Sequence, residues 1–337
     1  MNWKRNVKNT TVKKKLAEIV TVLRKNERFV ITGHEKPDGD CLGSQIGLAD
    51  LLRRWDKQVY LVNADLPGPV YQILPHLDWF STKPPDQPVD IGIVTDSGDI
   101  NRTGSMADYL SSLDFLINLD HHPQNDSLGD LNLVDPGFSC VGEIVYELYR
   151  HVDEPISKES ALALYVSLLT DTGSFRHANT HANSHRMAAD LIEAGDLETY
   201  KIYRHIYEQE SFESTRLLGE ILSGIQRDGG VVWGEVPRQL FDRTGTTERD
   251  LNDVINYLRR IKPCEVAILF REREDGTVKI NFRSKGNVDL LDVVEQFGGG
   301  GHQQAAGAMV EGDITDVRET VIHALKQEVE RVMGAEY

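Results

Sequence analysis

Five short apolar runs, separated by longer amphipathic segments, constrain the first half of this chain more than any other feature. They cover residues 28–33, 58–63, 90–96, 114–120 and 131–135. Each is short, partly β-branched and nearly continuous in hydrophobicity, as strands covered on both faces are. Between them lie helical patterns at 43–55, with apolar Ile46, Leu48, Leu51 and Leu52, and at 142–151, 158–169 and 184–194. Strand alternating with helix predicts an α/β fold with a mainly parallel, doubly wound sheet. In such a sheet ligands bind at the carboxyl ends of the strands, so the residues that follow the runs are the place to look for chemistry. The proline-rich stretch 82–88 reads as a surface loop.

At 337 residues the chain exceeds the ~100–150 residues of a usual single core, so two domains are expected. Residues 200–227 read as helical, with Leu217, Leu218, Ile221, Leu222 and Ile225 on one stripe and Gly229 and Gly230 ending it. Beyond it a smaller α/β unit is expected. Its strand 230–236 and helix 248–260 precede strands 265–271 and 278–283. A helix at 289–297, a glycine-rich loop, another strand and a C-terminal helix from Asp316 complete it. The expected organisation is a catalytic domain over 12–199, a helical linker over 200–228 and a substrate-binding domain over 229–333.

The longest apolar run, 161–169, falls well short of the ~20 residues of a membrane helix. The opening MNWKRNVKNTTVKKK is basic but has no apolar stretch behind it. It reads as a frayed start to a helix near Thr11, not as a secretory signal. Cys41, Cys140 and Cys264 lie far apart without paired spacing, which fits a thiol-reduced, cytoplasmic protein. The formal net charge of −16 repels polyanions, so a nucleic-acid substrate is expected to be short and held locally.

The informative residues are His34, Asp38 and Asp40 in GHEKPDGD, Asp96 in VTDSGD, Asp120, His121 and His122 in LDHHP, and Asp171 in LLTDTGSF. The first three groups directly follow expected strands, and Asp171 follows an expected helix, so all can converge on one crevice. Aspartates packed together repel, and protonate unless a cation sits among them. Taken singly, each aspartate is an ordinary turn or N-cap residue; the set in this order is not. Mixed imidazole and carboxylate donors favour Mn²⁺, with Mg²⁺ and other divalent ions left open. The number of donors favours two ions, ~3.5–4 Å apart, sharing a bridging carboxylate.

These four segments resemble the four motifs of the DHH phosphoesterase superfamily, in the family's order. FRSK at 282–285 and GGGGHQQAAGA at 298–308 resemble its DHH-associated domain. Together the likeness spans about 12–331 and is most similar to the bacterial nanoRNase/pAp phosphatases. By that resemblance His34 and Asp38 hold one metal, Asp40, His121 and Asp171 the other, and Asp96 bridges. His122 faces the scissile phosphate. Asp120 orients the histidines, with direct ligation left open. No ligand position is missing, which implies an active enzyme. The implied activity is hydrolysis of short RNA and removal of the 3′-phosphate of adenosine 3′,5′-bisphosphate (pAp).

The glycine-rich segment lacks the Lys-Ser or Lys-Thr of a P-loop. Its free backbone N–H groups suit an anion nest, although a hinge explains four glycines equally well. With the resemblance added, Gly298, Gly299, Gly300, Gly301, His302, Arg283 and Ser284 become candidate substrate contacts. Expected partners are short RNA oligonucleotides and small nucleotides, with no long duplex and no membrane; a homodimer is left open. Competing readings are a linear or cyclic dinucleotide phosphodiesterase (pApA), an inorganic pyrophosphatase, and a non-catalytic nucleotide sensor. His177, His181 and His185 are spaced four apart without a zinc-protease glutamate and read as exposed histidines near a helix start.

Overall fold

The structure, a computed structural model, describes residues 10–125, 127–251 and 254–334. The basic stretch ahead of Thr10 lies outside the described residues. The chain forms two compact units, Met1–Gln209 and Glu210–Tyr337.

In the N-terminal unit the elements run α1 (Thr10–Lys25), β1 (Arg28–Thr32), α2 (Gly39–Arg53), β2 (Gln58–Val62), β3 (Phe80–Ser81), β4 (Ile91–Thr95), α3 (Ala107–Ser111), β5 (Leu116–Asp120) and β6 (Leu131–Val134). Helices α4 (Val141–His151), α5 (Lys158–Asp171), α6 (Ala182–Gly195) and α7 (Thr199–Tyr207) follow. The six strands are ordered β3-β2-β1-β4-β5-β6 and every pair is parallel. The five expected strands are all present. Phe29, Ile31, Ile93 and Ile117 face a thick helical layer that includes α1, α2, α4 and α5, while Val30, Val62 and Val94 face a thin one around Met106 and Leu110. That thin layer is a 3₁₀ segment, Ile100–Met106, running into α3. It has no readable helical period, because Gly104 at φ +59° kinks it.

Helix α2 carries Gly39, Gly43 and Gly47 at four-residue spacing, and α5 lies against that face. A Cβ on Gly39 would meet Thr170 at 2.5 Å, on Gly43 the Ala163 carbonyl at 2.2 Å, and on Gly47 Leu164 at 2.7 Å. Only glycine admits a helix backbone this close. The packing brings the end of α5 beside the start of α2, where two of the motif segments meet.

The C-terminal unit runs α8 (Phe212–Ser223), β7 (Gln226–Asp228), β8 (Val231–Val236), α9 (Arg238–Thr244), α10 (Val254–Arg259), β9 (Val266–Glu272), β10 (Thr277–Ser284), α11 (Leu291–Val294), β11 (Gly300–His302), β12 (Ala305–Glu311) and α12 (Ile314–Met333). Its sheet is ordered β11-β12-β10-β9-β8-β7, antiparallel except between β8 and β9. Ile268, Phe270, Ile280 and Phe282 pack with Val321 and Leu325 of α12 to form its main core. Several expectations shift here. The stretch 200–228 divides, with α7 in the first unit and α8 and β7 in the second. In place of one helix over 248–260, a 3₁₀ turn Glu248–Asp250, closed by a Thr247 capping box, precedes α10. The 289–297 helix shortens to α11 plus a 3₁₀ turn that Gly298 ends at φ +66°. Part of the glycine-rich loop is a strand, β11.

Candidate active site

From β1 the chain proceeds to β2 and β3 on one side, and from β4 to β5 and β6 on the other. The crevice where a parallel sheet reverses its winding is the usual ligand site, and it lies here between the loops after β1 and β4. His34 comes two residues after β1. Gly33 ahead of it lies so close to α2 that a Cβ would meet Cys41 Sγ at 2.2 Å, so Cys41 packs beneath this turn. Asp38 is the N-cap of α2, accepting the Asp40 and Cys41 N–H groups at 3.0 and 3.1 Å. Asp96 directly follows β4 at φ +57°, a left-handed conformation sparsely used by non-glycine residues and concentrated at functional sites.

Asp40 is buried, and three donors converge on its carboxylate. Val141 and Gly142 give their N–H groups at 2.8 and 3.0 Å, and Ser167 its hydroxyl at 2.6 Å. The amides belong to the first turn of α4, whose partial positive charge favours a carboxylate there. Asp171 ends α5. After it Gly173, Ser174 and Phe175 take φ of +54°, +60° and +65° in succession, and this left-handed turn leads to Asn179. The Asn179 amide donates to Asp171 Oδ2 at 2.8 Å and to the Ser139 carbonyl at 2.8 Å.

The motif side chains meet around Asp96 in two main groups, with a third, overlapping one formed by Asp96, His121 and His122. His34 Nε2 lies 3.8 Å from Asp38 Oδ1 and 3.4 Å from Asp96 Oδ2. His121 Nε2 lies 3.8 Å from Asp40 Oδ2, 3.8 Å from Asp96 Oδ1 and 3.6 Å from Asp171 Oδ2. Each Asp96 oxygen thus faces a different group. Ligand atoms of His34, Asp38 and Asp96, and of Asp40, His121 and Asp171, fall within 4.8 Å of one another. His34 Nδ1 sits 2.7 Å from the Glu35 carbonyl, which keeps a proton on Nδ1 and makes Nε2, the nitrogen facing the aspartates, the one that would lose its proton to a cation. Asp96 Oδ1 and His121 Nε2 are buried without a hydrogen-bond partner among the described residues. Such atoms are costly unless something else engages them, and the donor set fits divalent cations.

Charge in the site argues the same way. Burial pushes Asp96 up to about 8, reinforced by the neighbouring Asp40 charge and opposed by His34. Asp171 is pushed up to about 8 by burial and by the charges of Asp40, Asp96 and Asp38. For Asp40 burial also raises the value, against the pull of His121. Burial opposes protonation of His34, yet its contacts with Asp38 and Asp96 outweigh it and raise the imidazole to about 10. Without a cation the site therefore fills with protons, and a cation would displace them.

Asp120 is fully buried and turned towards its own loop. Its Oδ1 accepts the His121 and His122 N–H groups at 2.8 and 3.2 Å and faces His122 Nδ1 at 2.8 Å; its Oδ2 accepts from Asn125 at 2.6 Å. Burial works against its ionisation, but these donors hold its carboxyl below the usual range. The Asp120 hydrogen bond, against burial, raises His122 to about 9. Asn125, Asn179 and Ser167 are the supporting residues that motif reading missed.

In the C-terminal unit, Arg283 and Ser284 lie on opposite faces of β10, Ser284 being buried and Arg283 half-buried. The Ser284 hydroxyl accepts the Gly286 N–H at 3.0 Å, so it serves its own turn. Gly298 and Gly299 donate their N–H groups to Glu295 and Val294, which removes those two amides from the expected nest. Gly300, Gly301 and His302 form β11 and are exposed. The three histidines read as exposed and idle separate: His181 is the N-cap of α6, with its ring 3.1 Å from Ser139 Oγ and 3.5 Å from Glu143. His185 stacks on Phe175 at 4.9 Å.

Family models match in both halves. Residues 28–168 match the DHH family N-terminal domain and 231–331 the DHHA1 domain. The chain is 33% identical to the bifunctional oligoribonuclease and PAP phosphatase NrnA of Thermus thermophilus over 304 residues, covering 89% of this chain and 90% of that protein. It is 27% identical to the Bacillus subtilis protein of the same name, covering 87% and 92%. An exopolyphosphatase-related protein from Bacteroides fragilis has the same fold, at TM-score 0.83 and 22% identity over 95% of this chain and 96% of that one. RecJ of Thermus thermophilus, solved with Mn²⁺, aligns at TM-score 0.53 and 14% identity over 97% of this chain and 55% of its own. With its motif residues gathered at the switch point of the sheet and both family domains matched in order, the chain belongs to the DHH family.

Proposed function

We propose that this DHH-family phosphoesterase binds two divalent cations, manganese being the favoured ion, and hydrolyses short RNA oligonucleotides and the 3′-phosphate of pAp. The observation that carries the reading is Asp96, strained, buried and sharing its two oxygens between the two clusters. In this reading His34 and Asp38 would hold one ion and Asp40, His121 and Asp171 the other, with Asp96 within reach of both groups. Divalent ions held there would supply Lewis-acid stabilisation of the charge that develops on a phosphoryl group.

The chain's own groups do the rest. Asp120 holds His122 through Nδ1, leaving its partly exposed Nε2–H free to donate to a phosphoryl or leaving oxygen. The amides and hydroxyl on Asp40, and the Asn179 amide on Asp171, fix carboxylates that would otherwise rotate. Arg283 and His302 supply cationic or donor contacts for substrate phosphate. The names of the Thermus and Bacillus relatives support the choice of short RNA and pAp, and the acidic net charge agrees with small substrates.

Incubation with manganese and labelled RNA dimers to pentamers, pApA, pAp and pyrophosphate, with products resolved over time, tests this. Turnover of both the oligomers and pAp is expected. Activity on pApA alone would make the protein a dinucleotide phosphodiesterase, and no turnover despite bound metal would make it a sensor.

A further inference from the structure

Helix α4 carries a buried carboxylate that neither cation group uses. Glu143 lies in its first turn and is 3% exposed. Burial pushes its carboxyl up, against the pull of the Ser139 N–H and of His181, so those two contacts are what it is held by. Its Oε2 accepts the Ser139 N–H at 2.8 Å and lies 3.5 Å from His181 Nε2. Cys140, the N-cap of α4, makes no side-chain cap. Glu143 instead reaches back past it and fixes the chain entering the helix, much as the carboxylate of a capping box does.

Ser139 is fully buried, and every polar group it has is engaged. Its N–H goes to Glu143, and its carbonyl accepts from the Asn179 amide at 2.8 Å. Its hydroxyl donates to the Asn179 carbonyl at 3.0 Å, so it accepts from the two groups that face it, Ser184 Oγ at 2.6 Å and His181 Nε2 at 3.1 Å. His181 Nδ1 accepts the Asn183 N–H at 3.2 Å, which leaves a proton on Nε2 for that contact. A buried network whose members are all satisfied is rigid. Two arms leave this one for the group of Asp40, His121 and Asp171. Along the chain, Val141 and Gly142 hold Asp40; across the turn, the same Asn179 amide holds Asp171 Oδ2. Gly142 packs so closely that a Cβ would collide with Ser167 Oγ, the third donor to Asp40, so the first turn of α4 has little room to shift. The His34 side is supported elsewhere. The Gly33 N–H goes to Asn63 Oδ1 at 3.0 Å, and Asn63 and Gln45 pair through their amides at 2.9 and 3.0 Å.

We propose that Glu143 is a positioning residue for one of the two cation groups, setting Ser139 and, through it, the carboxylates of Asp40 and Asp171 together. The proposal rests on the two-cation reading above and deepens it. Glu143 acts through its hydrogen bond to the Ser139 N–H. A glutamine amide oxygen of the same shape can accept that bond, and an alanine cannot. A helix cap with no further role predicts something else: its loss lowers the melting temperature and leaves the metal affinity of the folded protein alone.

Manganese binding to the metal-free, full-length chain, measured by calorimetry well below its melting temperature, reads this without turnover. Wild type is expected to bind two ions. In Glu143→Ala one of them should weaken by about 10–100-fold, the usual result of losing a support of metal ligands, while the other keeps its wild-type affinity. Glu143→Gln should restore both affinities to near the wild-type values. Unchanged affinity for both ions in Glu143→Ala, with only a lower melting temperature, overturns the proposal and leaves Glu143 a cap. Equal weakening of both ions overturns it as well, since the His34 side does not depend on α4. So does equal loss in Glu143→Gln and Glu143→Ala, because the ions would then be sensing the charge and not the hydrogen bond. If Glu143→Ala melts below the assay temperature, Glu143→Asp, whose carboxylate falls one carbon short of Ser139, should show the same loss; wild-type affinity there overturns the proposal too. Wild type that takes up no manganese rejects the two-cation reading and this proposal with it, a result distinct from a wild type that binds both ions and a variant that does the same.

Discussion

Asp40 in the N-terminal unit and Asn281 in the C-terminal one are both polar side chains among packed neighbours. The Asp40 carboxylate receives three hydrogen bonds, while the Asn281 amide receives none from the described residues. Around Asp40 every support is built in: the α4 amides, the Ser167 hydroxyl and a glycine face that lets α5 approach. Around Asn281 the directly paired residues are Leu269 and Gly307, and among the described residues no hydrogen bond orders the amide in advance. The first arrangement suits a partner that stays, because charges fixed beforehand cost nothing to organise when it binds. The second has no such support, and its amide is not fixed beforehand.

The sharpest way to break this contrast is to remove one group from each side. Asp96→Ala should lose bound manganese and lower kcat on the order of 10³-fold, the scale of a lost metal-centred charge stabilisation. Arg283→Ala should keep full metal content and raise KM by roughly tenfold, as loss of a charge-assisted hydrogen bond does. Metal analysis together with steady-state kinetics reads both. Metal loss from Arg283→Ala would end the division of labour between the two units.

What could be read from the residues alone follows the same line. The strand runs and the motif aspartates and histidines were legible because a parallel sheet forces post-strand residues to one edge, and charge clustered there has few structural explanations. Supporting residues were not legible. Asn179 acts across an eight-residue turn through three left-handed residues, and no periodicity announces such a turn. Ser167 is one hydroxyl on a helix read as apolar, and its use depends on Gly43 letting α5 close in. In the second unit, β11 escaped because four glycines carry no strand propensity; pairing with β12 makes the last two of them, with His302, a strand. Asn281 and Gly307 share a face only through register, which depends on where three strands begin.

A smaller effect sharpens the account of the fixed site. Asn179→Ala removes the amide that joins Asp171 to the Ser139 carbonyl. Supporting partners of metal ligands typically matter by about 10–100-fold in affinity. Manganese titration of this variant should show that loss, with kcat at saturating metal falling much less. An unchanged affinity would mean that Asp171 is held by the α5 terminus alone.

The smallest expected effect is a slope. Asp96 and Asp171 are raised to about 8, chiefly by burial, from an ordinary value of 3.8. His34 and His122 are raised to about 10 and 9 from 6.5 by the carboxylates beside them, despite the burial of His34. Between about pH 5 and 9 the metal-free folded protein therefore holds protons that the unfolded chain has released. Stability falls with rising pH wherever the native state binds more protons, so all four groups act in the same direction. Asp38 and Asp120 are held low by their hydrogen bonds; their contribution is lost only at acid pH, outside this interval. The melting temperature of chelator-treated protein should thus decline by about a few degrees across the interval. Excess manganese should flatten the decline and stabilise most at the alkaline end, where fewest protons must leave. Asp96→Asn, which removes one titrating group, should make the metal-free decline shallower. A flat or rising metal-free curve would mean that these aspartates are already ionised in the native state, and the electrostatic need for a cation would go with it.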